Sequence, residues 1–198
     1  MQTNTQTTIQ AAVGTEGRSG PRTAGGRWTI YHPQPSGGGM AFRLELKLDA
    51  RARTAADGCF FVDLARQTGE KSAGEGKKPG WLFDWEHRLT VRLSLLEAGE
   101  LLAVLRGKLP EAGAGRHGFF HDNGKGSTVI TFQPAAARGG FQFGLSRKDR
   151  EAAQPDRRGI LISEAEAMVL DVVLSQGIFR LFESAVPPVR PESAAATE

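Results

Sequence analysis

The chain has 198 residues, 39% of them apolar and 24% charged, which fits one globular domain with tails or at most two small domains. Its formal charge of +3 permits an acidic partner without requiring one, and the lone Cys59 excludes an intramolecular disulfide or a cysteine-rich metal site. No run approaches the roughly 20 apolar residues that span a bilayer, and no charged, apolar signal opens the chain, so cytoplasm is the expected compartment, with an organellar address left open.

Residues 1–26 are Thr, Gln, Gly and Ser with almost no large apolar side chain, a composition that cannot repay ordering. The Pro/Ala/Glu run at 184–198 is of the same kind, so the folded domain is expected over 27–183. A short strand over Arg27–His32 is closed by Pro33, Pro35 and a flexible Gly37-Gly38-Gly39 turn. Beyond it Phe42, Leu44, Leu46 and Leu48 alternate with Arg43, Glu45 and Lys47, the period-2 pattern of a half-buried strand. Phe60, Val62 and Leu64 alternate less cleanly with Phe61, Asp63 and Ala65 in a third strand. The glycine- and lysine-rich stretch 68–80 is expected as a long loop.

From Trp81 to Ser94 the alternation runs on as one long strand. Phe83, Trp85, His87, Leu89, Val91 and Leu93 share its apolar face, opposite Asp84, Glu86, Arg88, Thr90 and Arg92. Ser94 and Glu97 form a capping box, leucines follow near helical spacing, and Gly107 and Pro110 end the helix. Four more strands are expected at 117–122, 127–134, 141–148 and 157–163, with a turn at Asn123-Gly124. Ser163 and Glu166 make a second capping box, and the helix after them is apolar on too many sides for a simple surface helix. The fold class is therefore α+β, a duplicated ββββα unit in which each half closes on the same serine–glutamate cap.

Five places in this pattern carry a resemblance. They are Tyr31-His32-Pro33 before the glycine turn and Phe42, Phe83-Asp84-Trp85-Glu86, Phe119-Phe120-His121-Asp122, Gly126-Ser127-Thr128, and the last helix from Ile162-Ser163. In order and spacing they resemble the Whirly family of plant single-stranded-DNA-binding proteins and the related kinetoplastid mitochondrial guide-RNA-binding proteins. The resemblance implies two roughly perpendicular four-stranded antiparallel sheets with the helices at the centre of a tetramer. It also implies single-stranded nucleic acid on the outer sheet surfaces. One departure stands out: the lysine-bearing Lys-Gly-Lys-Ala-Ala-Leu motif of Whirly proteins is replaced by Gly37-Gly38-Gly39-Met40-Ala41-Phe42.

Sequence-tolerant binding of single strands needs aromatic faces for bases and a basic track for phosphates. Arg43, Lys47, Arg88 and Arg92 are candidates because each lies opposite an apolar strand face. Lys77, Lys78, Lys125, Arg147 and Lys148 add charge in loops and at strand ends, and Trp28, Tyr31, His32, Trp81 and Phe141 lie near strand ends where they can stack. Phe83 and Trp85 are assigned to the core, and Asp84 and Glu86 to cross-sheet pairing with Arg43 or Lys47. His117 and His121 lie about 13 Å apart if both are in a strand, too far for one metal ion; no serine, cysteine or carboxylate sits in a recognisable nucleophile or acid/base motif, and the glycine-rich stretches lack the full phosphate-loop pattern.

The expectation is a non-catalytic, homotetrameric, bacterial protein that coats or anneals single-stranded DNA in replication, repair, recombination or DNA transfer. It has no cofactor, metal, membrane or small-molecule partner. RNA as the ligand, or an interaction scaffold without nucleic acid, are the alternatives.

Overall fold

The computed structural model describes residues 26–49, 53–71, 80–113 and 115–185. The expected tails lie outside the described residues, apart from Gly26 and from Ser184 and Ala185, which extend the last helix. Nine strands and two α-helices are described, in the order β1 Arg27–His32, β2 Met40–Lys47, β3 Cys59–Lys71, β4 Gly80–Phe83, β5 Leu89–Leu93 and α1 Leu95–Leu105. The second half follows as β6 Phe119–Asp122, β7 Gly126–Pro134, β8 Phe141–Asp149, β9 Asp156–Ile162 and α2 Glu164–Ala185.

All strand pairs are antiparallel. The second sheet is the meander β6-β7-β8-β9. The first runs β1-β2-β3, and the long β3 pairs along one edge with β5 at one end and β4 at the other. This corrects the expectation of a single strand from 81 to 94. The Asp84 carboxylate accepts the backbone N–H of His87 at 3.0 Å and closes a turn between β4 and β5. It also corrects the start of the loop, because β3 continues to Lys71.

The alternating apolar faces form one core. Trp28, Ile30, Phe42, Leu44, Val62, Leu64 and Val91 meet Ile130, Phe132, Phe143, Leu145 and Ile160 of the other sheet, and Phe42 lies edge-on to Phe143 at 5.3 Å. Helix α2 approaches the first sheet at Gly177, where a Cβ would stand 2.4 Å from the Phe60 ring. Arginines stitch the sheets together at their margins. Arg158 donates to the Leu64 carbonyl at 2.9 Å, Arg66 donates to Asp156 at 2.6 Å, and Arg147 donates to the Thr90 carbonyl.

The duplication is visible in the helix caps. Glu97 N–H donates to Ser94 Oγ at 3.3 Å and the Glu97 carboxylate accepts from Ser94 N–H at 2.7 Å. Ser163 and Glu166 repeat this at 3.4 and 2.9 Å. The free oxygen of each glutamate reaches into the opposite half. His121 Nε2 on β6 donates to Glu97 at 2.5 Å, and His32 Nε2 on β1 donates to Glu166 at 2.8 Å. Burial opposes charge on both glutamates, yet the histidine and serine hydrogen bonds outweigh it and hold both carboxyls below their ordinary range.

Candidate functional site

The outer face of the first sheet carries the polar members of each alternating strand. Its register sets Tyr31 beside Ala41 and Ala65, Thr29 beside Arg43, Asp63 and Thr90, and Arg27 beside Glu45, Phe61 and Arg92. Ala41 and Ala65 are fully buried on this face, a floor small enough for large rings to lie across. Those rings are Tyr31, Phe83 and Trp85. Tyr31 meets Phe83 at 5.3 Å and Trp85 at 6.3 Å, edge to face with the latter. All three remain half-exposed.

Trp85 and Phe83 therefore do not belong to the core. The turn at Asp84–His87 interrupts the strand, and the alternation counted back from Leu89 loses its phase there. Asp84 and Glu86 do not pair with Arg43 or Lys47 either. Asp84 is held by His87, whose N–H keeps its carboxyl below the usual range.

The partner of Arg43 is Asp63. Arg43 Nε donates to Asp63 Oδ2 at 2.8 Å, and its guanidinium carbon lies 4.3 Å from the centre of the Trp85 ring. Arg88 Nε approaches the other Asp63 oxygen at 3.3 Å, Thr90 Oγ1 donates to that same oxygen at 2.5 Å, and Arg88 also donates to the Trp85 carbonyl at 2.5 Å. One buried carboxylate thus fixes two guanidiniums beside an aromatic platform. Arg92 and Lys47 are exposed on the same face and make no ion pair or side-chain hydrogen bond among the described residues. An open surface with aromatic faces and cations suits a flexible anionic polymer with planar groups.

The remaining candidates separate. Trp28 is 8% exposed, packed on Phe42, and Phe141 is 9% exposed, stacked on Phe132 at 5.3 Å, so neither ring is offered to a ligand. His32 is engaged with Glu166 rather than poised to stack. Arg147 is a bridge between the sheets, bonded to Thr90 and Thr128, not a flexible charge. Lys125 and Lys148 are exposed at hairpin ends of the second sheet, and Trp81 is 36% exposed on β4. Lys77 and Lys78 lie outside the described residues. His117 precedes β6 with φ of 57° and faces Glu111 at 3.6 Å, so it does not share a strand face with His121.

Two exposed residues of the second sheet were not among the candidates. Phe120 is 66% exposed and Arg157 is exposed, and the register places both in one row with Val129 and Ser146. An open depression of about 200 Å³ lies between the strands there, floored by Thr131, Gly144 and Ser146. The available signal was the repeat itself. Tyr31-His32 and Phe120-His121 are equivalent pairs, each with its histidine on a cap of the other half and its aromatic ring outward.

No protein-family model matches this sequence, and no curated protein does. Solved structures do. The plant transcriptional regulator PBF-2 is 21% identical, with a TM-score of 0.58 over 84% of this chain and 96% of its own. WHY1 of Arabidopsis thaliana is 23% identical, with a TM-score of 0.56 over 82% of this chain and 88% of its own. A guide-RNA-binding protein complex bound to a guide RNA is 18% identical, with a TM-score of 0.52 over 79% of this chain and 92% of its own. The chain has the fold of the Whirly and guide-RNA-binding proteins that its motifs resemble.

Proposed function

We propose that this chain binds single-stranded nucleic acid without catalysis, using the outer face of its first sheet. The observation that carries the reading is the Tyr31–Phe83–Trp85 cluster bordered by Arg43, Arg88, Arg92 and Lys47. Bases stack on the rings and phosphates meet the cations; Watson–Crick duplexes keep their bases inside and cannot use the rings. The shared fold supports the reading, since one solved structure of that fold is described as bound to a guide RNA. That same description favours RNA as a second reading, while the Whirly resemblance favours DNA.

The working form is a homotetramer. Met168, Val172, Phe179 and Phe182 leave a wide apolar stripe on α2 exposed, and burying it between copies removes that surface from water. Such a particle would coat or anneal strands during replication, repair, recombination or transfer. Titration of labelled single-stranded DNA, single-stranded RNA and duplex DNA tests the reading. Preference for either single strand over duplex supports it, and the stronger of the two names the ligand. Equal binding to duplex, or none to any probe, would sink it.

A further inference from the structure

Asp63 lies between Arg43 and Thr90 in the register of this face. Three cationic or polar side chains converge on that residue, Arg43 through Nε at 2.8 Å, Arg88 at 3.3 Å and Thr90 at 2.5 Å, and Asp63 itself is 6% exposed. The next row of this face, Ala41 and Ala65, carries no charge, and Glu45 is engaged by Arg27 at 2.9 Å. The local set of Asp63, Arg43 and Arg88 therefore sums to a single positive charge. It holds two donor forks beside the Trp85 ring.

We propose that Asp63 is a positioning and charge-setting residue, which aligns Arg43 over Trp85 and halves the charge that the two arginines present to a strand. The inference rests on the single-strand reading above. The face grips one phosphate firmly at this point rather than two loosely. Binding is then carried by stacking as well as by charge, and is less sensitive to salt than a count of arginines implies.

Counterion release gives a readout that a merely structural role does not move. For single strands, the slope of log affinity against log salt changes by about 0.7 for each charge engaged. The experiment titrates the full chain and three variants with labelled oligo(dT) and oligo(U) across a salt series. Asp63→Asn should steepen the slope by about 0.7, Arg43→Gln should flatten it by about 0.7, and the Arg43→Gln/Asp63→Asn double variant should return it to the wild-type value. If Asp63→Asn fails to fold, the comparison of Arg43→Gln with the double variant still decides, because the double removes the ion pair as a unit. Slopes that stay at the wild-type value in every variant, or a double variant that keeps the slope of Arg43→Gln, would overturn the proposal while leaving single-strand binding intact. A wild-type protein that binds neither oligonucleotide overturns both readings.

Discussion

Trp85 shows how a single side chain's assignment turns on its neighbours. On alternation it belongs with Leu89 and Val91 in the core; in the fold it lies outside, edge-on to Tyr31 and under Arg43. Arg92 illustrates the opposite case, a residue whose wet-face placement was plain from alternation and holds in the fold. Because Arg92 makes no ion pair or side-chain hydrogen bond among the described residues, Arg92→Glu should leave unfolding free energy within about 0.5 kcal/mol of wild type. The same variant should weaken single-strand binding and flatten its salt dependence, which a denaturant titration beside a binding series will measure. Trp28 and Phe141 were misplaced for a physical reason. Nearness to a strand end says little about exposure when the ring packs on the neighbouring strand of its own sheet, as Trp28 does on Phe42 and Phe141 on Phe132.

The strands and helices were mostly legible because period 2 and the two capping boxes are local signals. What was not legible is tertiary. The β4–β5 break depends on an Asp84–His87 turn inside an unbroken alternation, and the bridging by Arg147 and Arg158 depends on where two sheets meet. The Gly37-Gly38-Gly39 turn, expected to be flexible, is pinned by buried Gln67. Its Oε1 accepts from the N–H groups of Gln34 at 2.8 Å and Gly39 at 3.1 Å, and its Nε2 donates to the Gln34 carbonyl at 3.1 Å. A Cβ at Gly39 would stand 2.1 Å from Gln67 Oε1, so glycine is required there for space.

Gly177→Ala drives a methyl into Phe60 and should cost about 1–3 kcal/mol, read from urea unfolding. The histidine clasps add a pH dependence. Glu97 and Glu166 have folded pKa values below their ordinary 4.5, so their contribution is present above that value and is lost as pH falls through the folded values. The urea midpoint should therefore drop as pH is lowered through and below the ordinary glutamate range. A Glu97→Gln/Glu166→Gln double variant should be less stable at neutral pH, with a flatter profile across that window.

At the scale of the whole molecule, the two halves exchange clasps, so each helix is held at its start by the other half's first strand. That arrangement fixes one face of α2 through Leu170, Leu174, Gly177 and Leu181 and leaves Met168, Val172, Phe179 and Phe182 outward. Charge on the outward stripe should dissolve the proposed tetramer without unfolding the protomer. Val172→Glu with Phe179→Glu is expected to lower the mass in light scattering from about four copies to one, with secondary structure retained. A wild-type protein that is already monomeric at micromolar concentration would rule out the tetramer.

If a nucleic-acid strand lies across Tyr31, Phe83 and Trp85, equilibrium binding of Trp85→Ala beside wild type must show the loss of a stacking ring. Loss of one stacked base is worth about 1–3 kcal/mol, so affinity for a labelled single strand at fixed salt should fall roughly 5- to 150-fold, with mass and circular dichroism unchanged. Wild-type affinity in the folded Trp85→Ala protein would contradict binding across these rings.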